Sequence, residues 1–182
     1  MALKSLPPVS DFRSQEKTLQ IEALDALFEP STAIHETLLP IIQTAQYSAW
    51  PEFIDACHAR FLELAKSSSD SSPDPKLLSI LGSHPRLGEK KITSAHSAAE
   101  QANLQKTADP VESAELARLN REYEEKFPGL IFVVFVNGRG RPEIMENMRT
   151  RIARADFALE VDAALQEQAM CDIAKDRAAK LQ

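Results

Sequence analysis

The sequence is poor in glycine and cysteine and contains no long apolar run, and each shortage excludes a class of protein. Only five of the 182 residues are glycine, and all lie between Gly82 and Gly140, so both ends of the chain are expected to be helical. The two cysteines, Cys57 and Cys171, lack the paired spacing of a redox or zinc site and are expected to be reduced core residues. No apolar run approaches the ~20 residues that a membrane span needs. We therefore expect a globular protein that is neither disordered nor embedded in a membrane.

Positive charge is also in deficit. Twenty-one Lys and Arg against 27 Asp and Glu give a formal net charge of -6 and a pI near 5.3, which argues against nucleic acid as the main partner. The N-terminus has no long apolar stretch, so a secretory signal is not expected. At the other end, Ala179-Lys180-Leu181 is followed by Gln182, so a peroxisomal tripeptide of the Ser-Lys-Leu kind is not intact. We expect an intracellular protein, either peroxisomal or cytoplasmic.

The chain is rich in helical periodicity punctuated by its eleven prolines, Pro40 among them. The pattern predicts helices at about residues 17–28, 32–46, 50–66, 75–82, 94–105, 111–126, 142–154 and 156–181. The serine- and proline-rich run 67–75 cannot bury an apolar face and is expected to be a flexible, solvated loop. These features predict an all-α fold, a single-domain bundle of about eight helices that spans residues 1–182.

One segment breaks the helical pattern. Residues 130–136, Leu-Ile-Phe-Val-Val-Phe-Val, are β-branched and aromatic and are bounded by Pro128-Gly129 and Asn137-Gly138, which is typical of a buried strand. The chain has no second run of this kind to pair with it. We therefore expect one short extended buried segment whose backbone groups are satisfied outside a sheet, and a ligand is one candidate partner for them.

Two clusters carry residues suited to chemistry. His84 stands in Gly82-Ser83-His84-Pro85-Arg86-Leu87-Gly88, where two glycines and a proline hold an imidazole at the boundary of an element. The alternative is a turn in which His84 only caps the preceding helix. The second cluster is Ser97-Ala98-Ala99-Glu100-Gln101, in which Ser97 and Glu100 share a helix face with small neighbours. Its alternatives are a solvent-facing Glu100 and a metal site formed with His96.

Two further stripes have structural explanations. Leu119, Tyr123 and Phe127 recur every four residues, which most often indicates core packing. Ile173, Arg177 and Leu181 share a face of the last helix, which places an arginine on an apolar stripe. Such an arginine either extends its charged end to solvent or meets a buried anion.

The ordered set of these motifs resembles one family. It comprises His84-Pro85-Arg86-Leu87-Gly88, Ser97-x-x-Glu100-Gln101, Leu119-Asn120-x-x-Tyr123-x-x-Lys126-Phe127, the apolar run Phe132 to Val136, Arg151, and Ile173-Ala174-x-x-Arg177. In order and type it is similar to the 2-oxo-4-hydroxy-4-carboxy-5-ureidoimidazoline (OHCU) decarboxylases of urate breakdown, over about residues 80–181.

The resemblance implies an all-helical, commonly dimeric enzyme that makes (S)-allantoin and carbon dioxide without a metal or organic cofactor. By position, His84 and Glu100 match the catalytic histidine and glutamate of the family. The matching substrate-binding positions are Pro85, Ser97, Gln101, the backbone of Ile131, Phe132 and Val133, and Arg177. The partners implied are a small-molecule substrate derived from urate and a second copy of the chain, with neither nucleic acid nor a membrane.

Two other functions remain open on the sequence. Arg86 stands where many members of the family carry Asp, and a loop unable to close the pocket would leave a helical interaction module without activity. A hydrolase that uses His96 and Glu100 with a metal is the third possibility, which tight stoichiometric zinc would favour.

Overall fold

The structure is a computed structural model that describes residues 3–66, 73–88, 97–99, 101–102, 109–167 and 170–182. The prediction of an all-α fold is confirmed, because no residue in these ranges lies in a β-strand. The α-helices are α1 (Val9–Phe12), α2 (Lys17–Leu27), α3 (Thr32–Thr44), α4 (Trp50–Lys66), α5 (Pro75–Leu81), α6 (Pro110–Lys126), α7 (Arg141–Arg154), α8 (Phe157–Asp162) and α9 (Met170–Leu181). Residues 97–99 and 101–102 are also helical, within the predicted helix 94–105.

Several helices start at capping residues that local sequence predicts. Asp74 and Asp109 each accept hydrogen bonds from the first backbone N–H groups of α5 and α6, and a proline follows each of them. At the start of α4, Glu52 accepts from both the backbone N–H and the hydroxyl of Ser48, at 2.7 and 2.8 Å. Of the predicted loop 67–75, residues 67–72 lie outside the described residues, and Pro75 already belongs to α5.

Pro40 does not interrupt the predicted helix 32–46, although prolines elsewhere in the chain stand at helix boundaries. It lies inside α3, which continues for four residues beyond it to Thr44. A proline removes one backbone donor from a helix interior, but α3 packs against α2, α4 and α5, and Leu38 and Ile42 on either side of the proline are buried. Tertiary packing therefore outweighs the local cost. The short helix α1 was not predicted.

The predicted helix 156–181 is helical at every described residue from 157 to 181, but it is not a uniform α-helix. Asp156 caps α8, a π-helical turn follows at Ala163–Glu167, and residues 168–169 lie outside the described residues. A π turn accommodates an extra residue and so rotates the face that the following residues present. Val161 before the turn and Ala174 after it are both buried in the core. The alanine-rich sequence supplies no breaker that would signal this change.

The helices bury one main apolar core. The last helix α9 packs against α2 and α4, and α6 packs against α7. The stripe of Leu119, Tyr123 and Phe127 is buried, which confirms its prediction as core. Cys57 and Cys171 are buried free thiols, also as predicted. No described helix has both the length and the apolar character required to cross a bilayer.

The extended segment runs between α6 and α7. Gly129, whose φ is +89°, begins it in a backbone conformation that side-chain-bearing residues rarely adopt. Phe132, Val133 and Val134 are buried, and the segment is not part of a sheet. The guanidinium of Arg151 holds it from behind, donating to the Val133 carbonyl at 3.0 Å and lying 4.6 Å from the centre of the Phe132 ring. The prediction of an extended buried segment is therefore confirmed.

Candidate active site

The loop after α5 carries His84 and is fixed at two backbone positions. Asn120 on α6 donates from its side-chain amide to the Leu87 carbonyl at 3.0 Å, and the N–H of Gly88 donates to the side-chain oxygen of Gln101 at 2.9 Å. Gly88 has φ +81°, and an added Cβ would lie 2.8 Å from a methyl carbon of Leu116. The loop is therefore specified by its glycine and tied to two helical regions.

His84 is held as a neutral imidazole. It is 8% exposed, and its Nδ1 is buried without a hydrogen-bond partner among the described residues. Burial, with a smaller contribution from the positive charge of Arg177, lowers the pKa of His84 to about 3. Glu29 Oε1 lies 4.0 Å from Nδ1, which is beyond hydrogen-bond distance. This contact is therefore not an ion pair, and the ring is uncharged at neutral pH.

A buried network of Glu29, Ser97 and Arg177 lies beside His84. The Ser97 hydroxyl donates to Glu29 Oε1 at 2.5 Å, and Arg177 Nη2 donates to the same oxygen at 2.9 Å and to Ser97 Oγ at 3.0 Å. Arg177 Nη1 also donates to the Phe28 carbonyl at 3.1 Å. All three side chains of the network are buried. Of the two predicted environments for Arg177, the structure shows the one with a buried anion.

These residues border a cavity of about 430 Å³. Its lining includes six of the predicted site residues, namely His84, Pro85, Ser97, Gln101, Phe132 and Val133. Neither Ile131 nor Arg177 is part of the lining, but Arg177 contacts the lining residue Ser97. Glu100, the predicted catalytic carboxylate, and His96 lie outside the described residues. The structure therefore brings together His84, Ser97 and Gln101 around one cavity, although they come from separate parts of the chain.

The extended segment contributes a wall of the cavity, and its backbone is bonded on one side only. Three of its carbonyls accept from arginine side chains, because Arg151 donates to Val133 O, and Arg139 donates to Phe135 O and, at 3.4 Å, to Val136 O. Within the described ranges, none of the N–H groups of residues 131–136 donates a hydrogen bond. Buried or half-buried backbone donors require acceptors. This wall therefore suits a ligand that carries carbonyl or carboxylate oxygens.

The charged residues of the cavity lining are mostly cationic. Arg139, Arg141 and Lys180 contribute to it with Asp176, which accepts a 2.5 Å bond from Lys180. Three cations against one carboxylate give this part of the described lining a positive balance, although the whole chain is acidic. Charge of one sign around a cavity raises the local concentration of a ligand of the opposite sign. The cavity therefore favours an anionic small molecule.

Sequence reasoning missed Glu29. It lies between Phe28, the residue that caps the end of α2, and Pro30. A signal did exist, because an arginine on an apolar stripe needs a counter-ion, and Glu29 directly follows the apolar pair Leu27-Phe28. The partner could not be chosen from the sequence, since 148 residues separate Glu29 from Arg177.

The donor set and comparisons with known proteins bear on the class of protein. No group of three or more histidine, cysteine or carboxylate side chains is placed to hold a metal ion in the part of the chain that the structure describes. A search of curated proteins gave no match. The model of the OHCU decarboxylase family matches residues 13–179 of the 182-residue chain, which extends the resemblance into the N-terminal helices. The chain therefore belongs to the OHCU decarboxylase family.

Proposed function

We propose that the protein converts 2-oxo-4-hydroxy-4-carboxy-5-ureidoimidazoline into (S)-allantoin and carbon dioxide, as a carboxy-lyase of urate catabolism that needs no metal or organic cofactor. The observation that carries the proposal is a neutral His84 on the wall of a cavity with free backbone donors and a cationic balance. Membership of the family supports decarboxylation in urate breakdown as the class of reaction.

The chemistry requires a base and a place for an electron pair. Breaking the bond between the ring carbon and the carboxylate releases carbon dioxide, and the electron pair of that bond is delocalised into the conjugated ring. The hydroxyl on the same carbon then loses its proton to become a carbonyl, while the neighbouring carbon that carries the ureido group gains a proton. A neutral imidazole has an unprotonated nitrogen, so His84 is suited to take the proton of the substrate hydroxyl. The same ring can deliver a proton to the ureido-bearing carbon from one face, which would make the product chiral.

Other residues would bind and orient the substrate. The backbone N–H groups of Phe132 and Val133, which line the cavity, are suited to its carbonyl and carboxylate oxygens, and the resemblance adds the N–H of Ile131. Donors fixed before the reaction stabilise developing negative charge. Gln101 and Ser97 border the same space, with Pro85 as an apolar wall. Arg177 would act on the substrate indirectly, through its hydrogen bond to Ser97. Glu100 remains the proposed second catalytic residue by its position in the family motif.

The test is a stereospecific assay of allantoin formation. Urate oxidase and hydroxyisourate hydrolase generate the unstable substrate in the cuvette with EDTA present, and circular dichroism follows (S)-allantoin. We expect a fast signal with the protein and a slow racemic background without it. His84→Asn should lower the rate by about 100-fold or more, because a general base is removed. A rate equal to background for the native protein would favour the inactive interaction module.

The EDTA arm also addresses the metal-dependent alternative. Tight stoichiometric zinc in the purified protein would favour a hydrolase that uses His96 and Glu100, whereas allantoin formation unaffected by EDTA would remove that alternative. We also propose a homodimer, which sedimentation equilibrium would test. A peroxisomal or cytoplasmic location is proposed as well, and imaging of a tagged chain would test it.

A further inference from the structure

We infer that Glu29 is the positioning residue of the site: it fixes the His84 ring with a proton on Nδ1 and leaves Nε2 as the nitrogen that faces the cavity. The inference rests on the proposed function for the consequence in catalysis, but the orientation of the ring can be measured without turnover. Glu29 belongs to no motif of the resemblance, and its part in the site comes from the geometry alone.

One oxygen of Glu29 is the convergence point of the site. Oε1 accepts from Ser97 at 2.5 Å and from Arg177 at 2.9 Å, and the same atom lies 4.0 Å from His84 Nδ1. The Glu29 side chain is 3% exposed and that of Arg177 is 1% exposed, so the carboxylate is the counter-ion that a buried guanidinium requires. Two charge-assisted bonds therefore hold Oε1 in place beside the imidazole.

The imidazole has a nitrogen that needs such a neighbour. His84 Nδ1 is buried and has no hydrogen-bond partner in the described ranges, and a buried polar atom left unpaired is costly. A movement of about 1 Å would bring Nδ1 within hydrogen-bond distance of Oε1. Catalytic hydrogen bonds are often long before substrate binds and shorten in the complex. His84 lines the cavity, but its Nδ1 is buried from solvent, so Nε2 is the ring nitrogen available to a substrate.

Glu29 is better suited to this role than the other two members of the network. Arg177 has only donors, so it cannot accept a proton from Nδ1. The Ser97 hydroxyl already donates to Glu29 and accepts from Arg177, and it carries no charge. Glu29 Oε1, 4.0 Å from Nδ1, is therefore the charged acceptor that the network offers to an Nδ1–H group. Its negative charge would also stabilise the imidazolium formed when Nε2 takes a proton from the substrate, in the way a carboxylate orients the histidine of a catalytic triad.

The direct test is the tautomer of His84 in the full-length protein. Two-bond ¹H–¹⁵N correlation spectra of histidine-labelled protein at pH 7 distinguish a protonated ring nitrogen from an unprotonated one, and His84→Asn assigns the signals. We expect the proton on Nδ1 in the native protein. A proton on Nε2 in the native protein would overturn the inference, whether or not any variant folds and whether or not the protein decarboxylates its proposed substrate.

A pair of variants tests the role of the carboxylate. Glu29→Gln keeps the shape but can offer an N–H to Nδ1, so we expect the proton to move towards Nε2 and kcat to fall by about 100-fold, with KM changed by less than about threefold. Glu29→Asp keeps the charge and should retain more of the Nδ1–H form and more of kcat than Glu29→Gln. A Glu29→Gln protein with native tautomer and native kcat would show that Glu29 is only the structural counter-ion of Arg177.

The chain supplies a matched control. His35 Nε2 lies 2.5 Å from Asp25 Oδ1, a second histidine–carboxylate pair that is not part of the cavity lining. Asp25→Asn should shift the signals of His35 and leave both the His84 tautomer and kcat unchanged. If the native protein proves inactive, the proposed function fails while the tautomer of His84 in native and Glu29→Gln protein still decides this inference.

Discussion

Glu29 and Glu160 are both buried carboxylates held by arginine, yet they have different surroundings. Glu160 is fully buried, and its Oε1 accepts from the Tyr123 hydroxyl at 2.5 Å and from Arg151 Nε at 2.7 Å. Its Oε2 accepts from Arg154 at 3.0 Å. Both of its oxygens therefore have charged or polar donors within the protein. Neither Glu160 nor its partners line the cavity.

The Glu29 network differs because it includes groups on the cavity wall. Ser97 and His84 both line the cavity, and the Nδ1 of His84 still lacks a partner among the described residues. Glu160 instead fixes Arg151, which holds the extended segment through the Val133 carbonyl. The two ion pairs therefore have different roles. The Glu160 carboxylate, with donors on both oxygens, only fixes its neighbours, whereas the Glu29 carboxylate, next to the unpaired His84 imidazole, can take part in proton transfer.

The largest expected effect is on stability, from Glu160→Ala. This change leaves the buried Arg151 guanidinium without its counter-ion and should lower the free energy of unfolding by about 3–5 kcal/mol. Urea unfolding followed by far-UV circular dichroism measures it. Glu122→Ala, which removes an exposed partner of Arg118, is the control and should cost less than about 1 kcal/mol. Equal effects of the two changes would mean that Glu160 is not a structural anchor.

A matched pair of hydroxyl deletions tests the difference between the two networks. Tyr123→Phe and Ser97→Ala each remove one donor to a buried carboxylate, and hydrogen bonds to charged groups contribute about 1.5–3 kcal/mol. We expect both to lower the free energy of unfolding by amounts in that range, but only Ser97→Ala to lower kcat/KM by more than about tenfold. The CD assay of allantoin provides the second readout. A comparable loss of activity in Tyr123→Phe would contradict the distinction.

The third prediction concerns pH and His84, whose neighbours in the site are Arg177 and Glu29. In the unfolded chain this histidine takes up a proton near its ordinary pKa of 6.5, whereas in the folded protein its pKa is about 3. Stability from the neutral buried ring is therefore complete above about pH 6.5 and declines as the pH falls towards 3. Between pH 7.5 and 5 the native protein should lose about 2 kcal/mol more than His84→Asn does.

Urea titrations of both proteins at the two pH values measure this difference. Contributions from the other histidines and from the carboxylates cancel when the two proteins are compared. Equal losses in the native protein and in His84→Asn would mean that His84 is protonated in the folded state, contrary to its buried position in the structure.

Features that depend on neighbouring residues could be predicted from the sequence. The capping residues Asp74 and Asp109 fix helix starts through bonds to the next few amides, and the extended segment follows from its β-branched composition and flanking glycines. The glycines around His84 likewise indicate an irregular loop, which is where the structure places it. The local chemistry of each segment is sufficient in these cases.

Features that depend on distant partners could not be predicted. Glu29 meets Arg177 across 148 residues and Tyr123 meets Glu160 across 37, so no local pattern links either pair. Pro40 is tolerated inside α3 for a related reason, because packing of α3 against its neighbours outweighs the local preference of proline. The sequence therefore indicated the histidine and the wall of the site, while the carboxylate between them needed the tertiary structure.

The smallest expected effect separates the two arginines around Glu160. The Arg154 side chain is 38% exposed and that of Arg151 is 10% exposed, so solvent already screens the charge of Arg154. Arg154→Ala should lower the free energy of unfolding by less than about 1 kcal/mol and leave kcat/KM unchanged, because Arg151 still neutralises Glu160 and still holds the Val133 carbonyl. Urea unfolding and the allantoin assay check both expectations. A loss of stability as large as that of Glu160→Ala would show that the carboxylate needs both arginines. Glu160, Arg151 and Arg154 would then act as one cooperative unit.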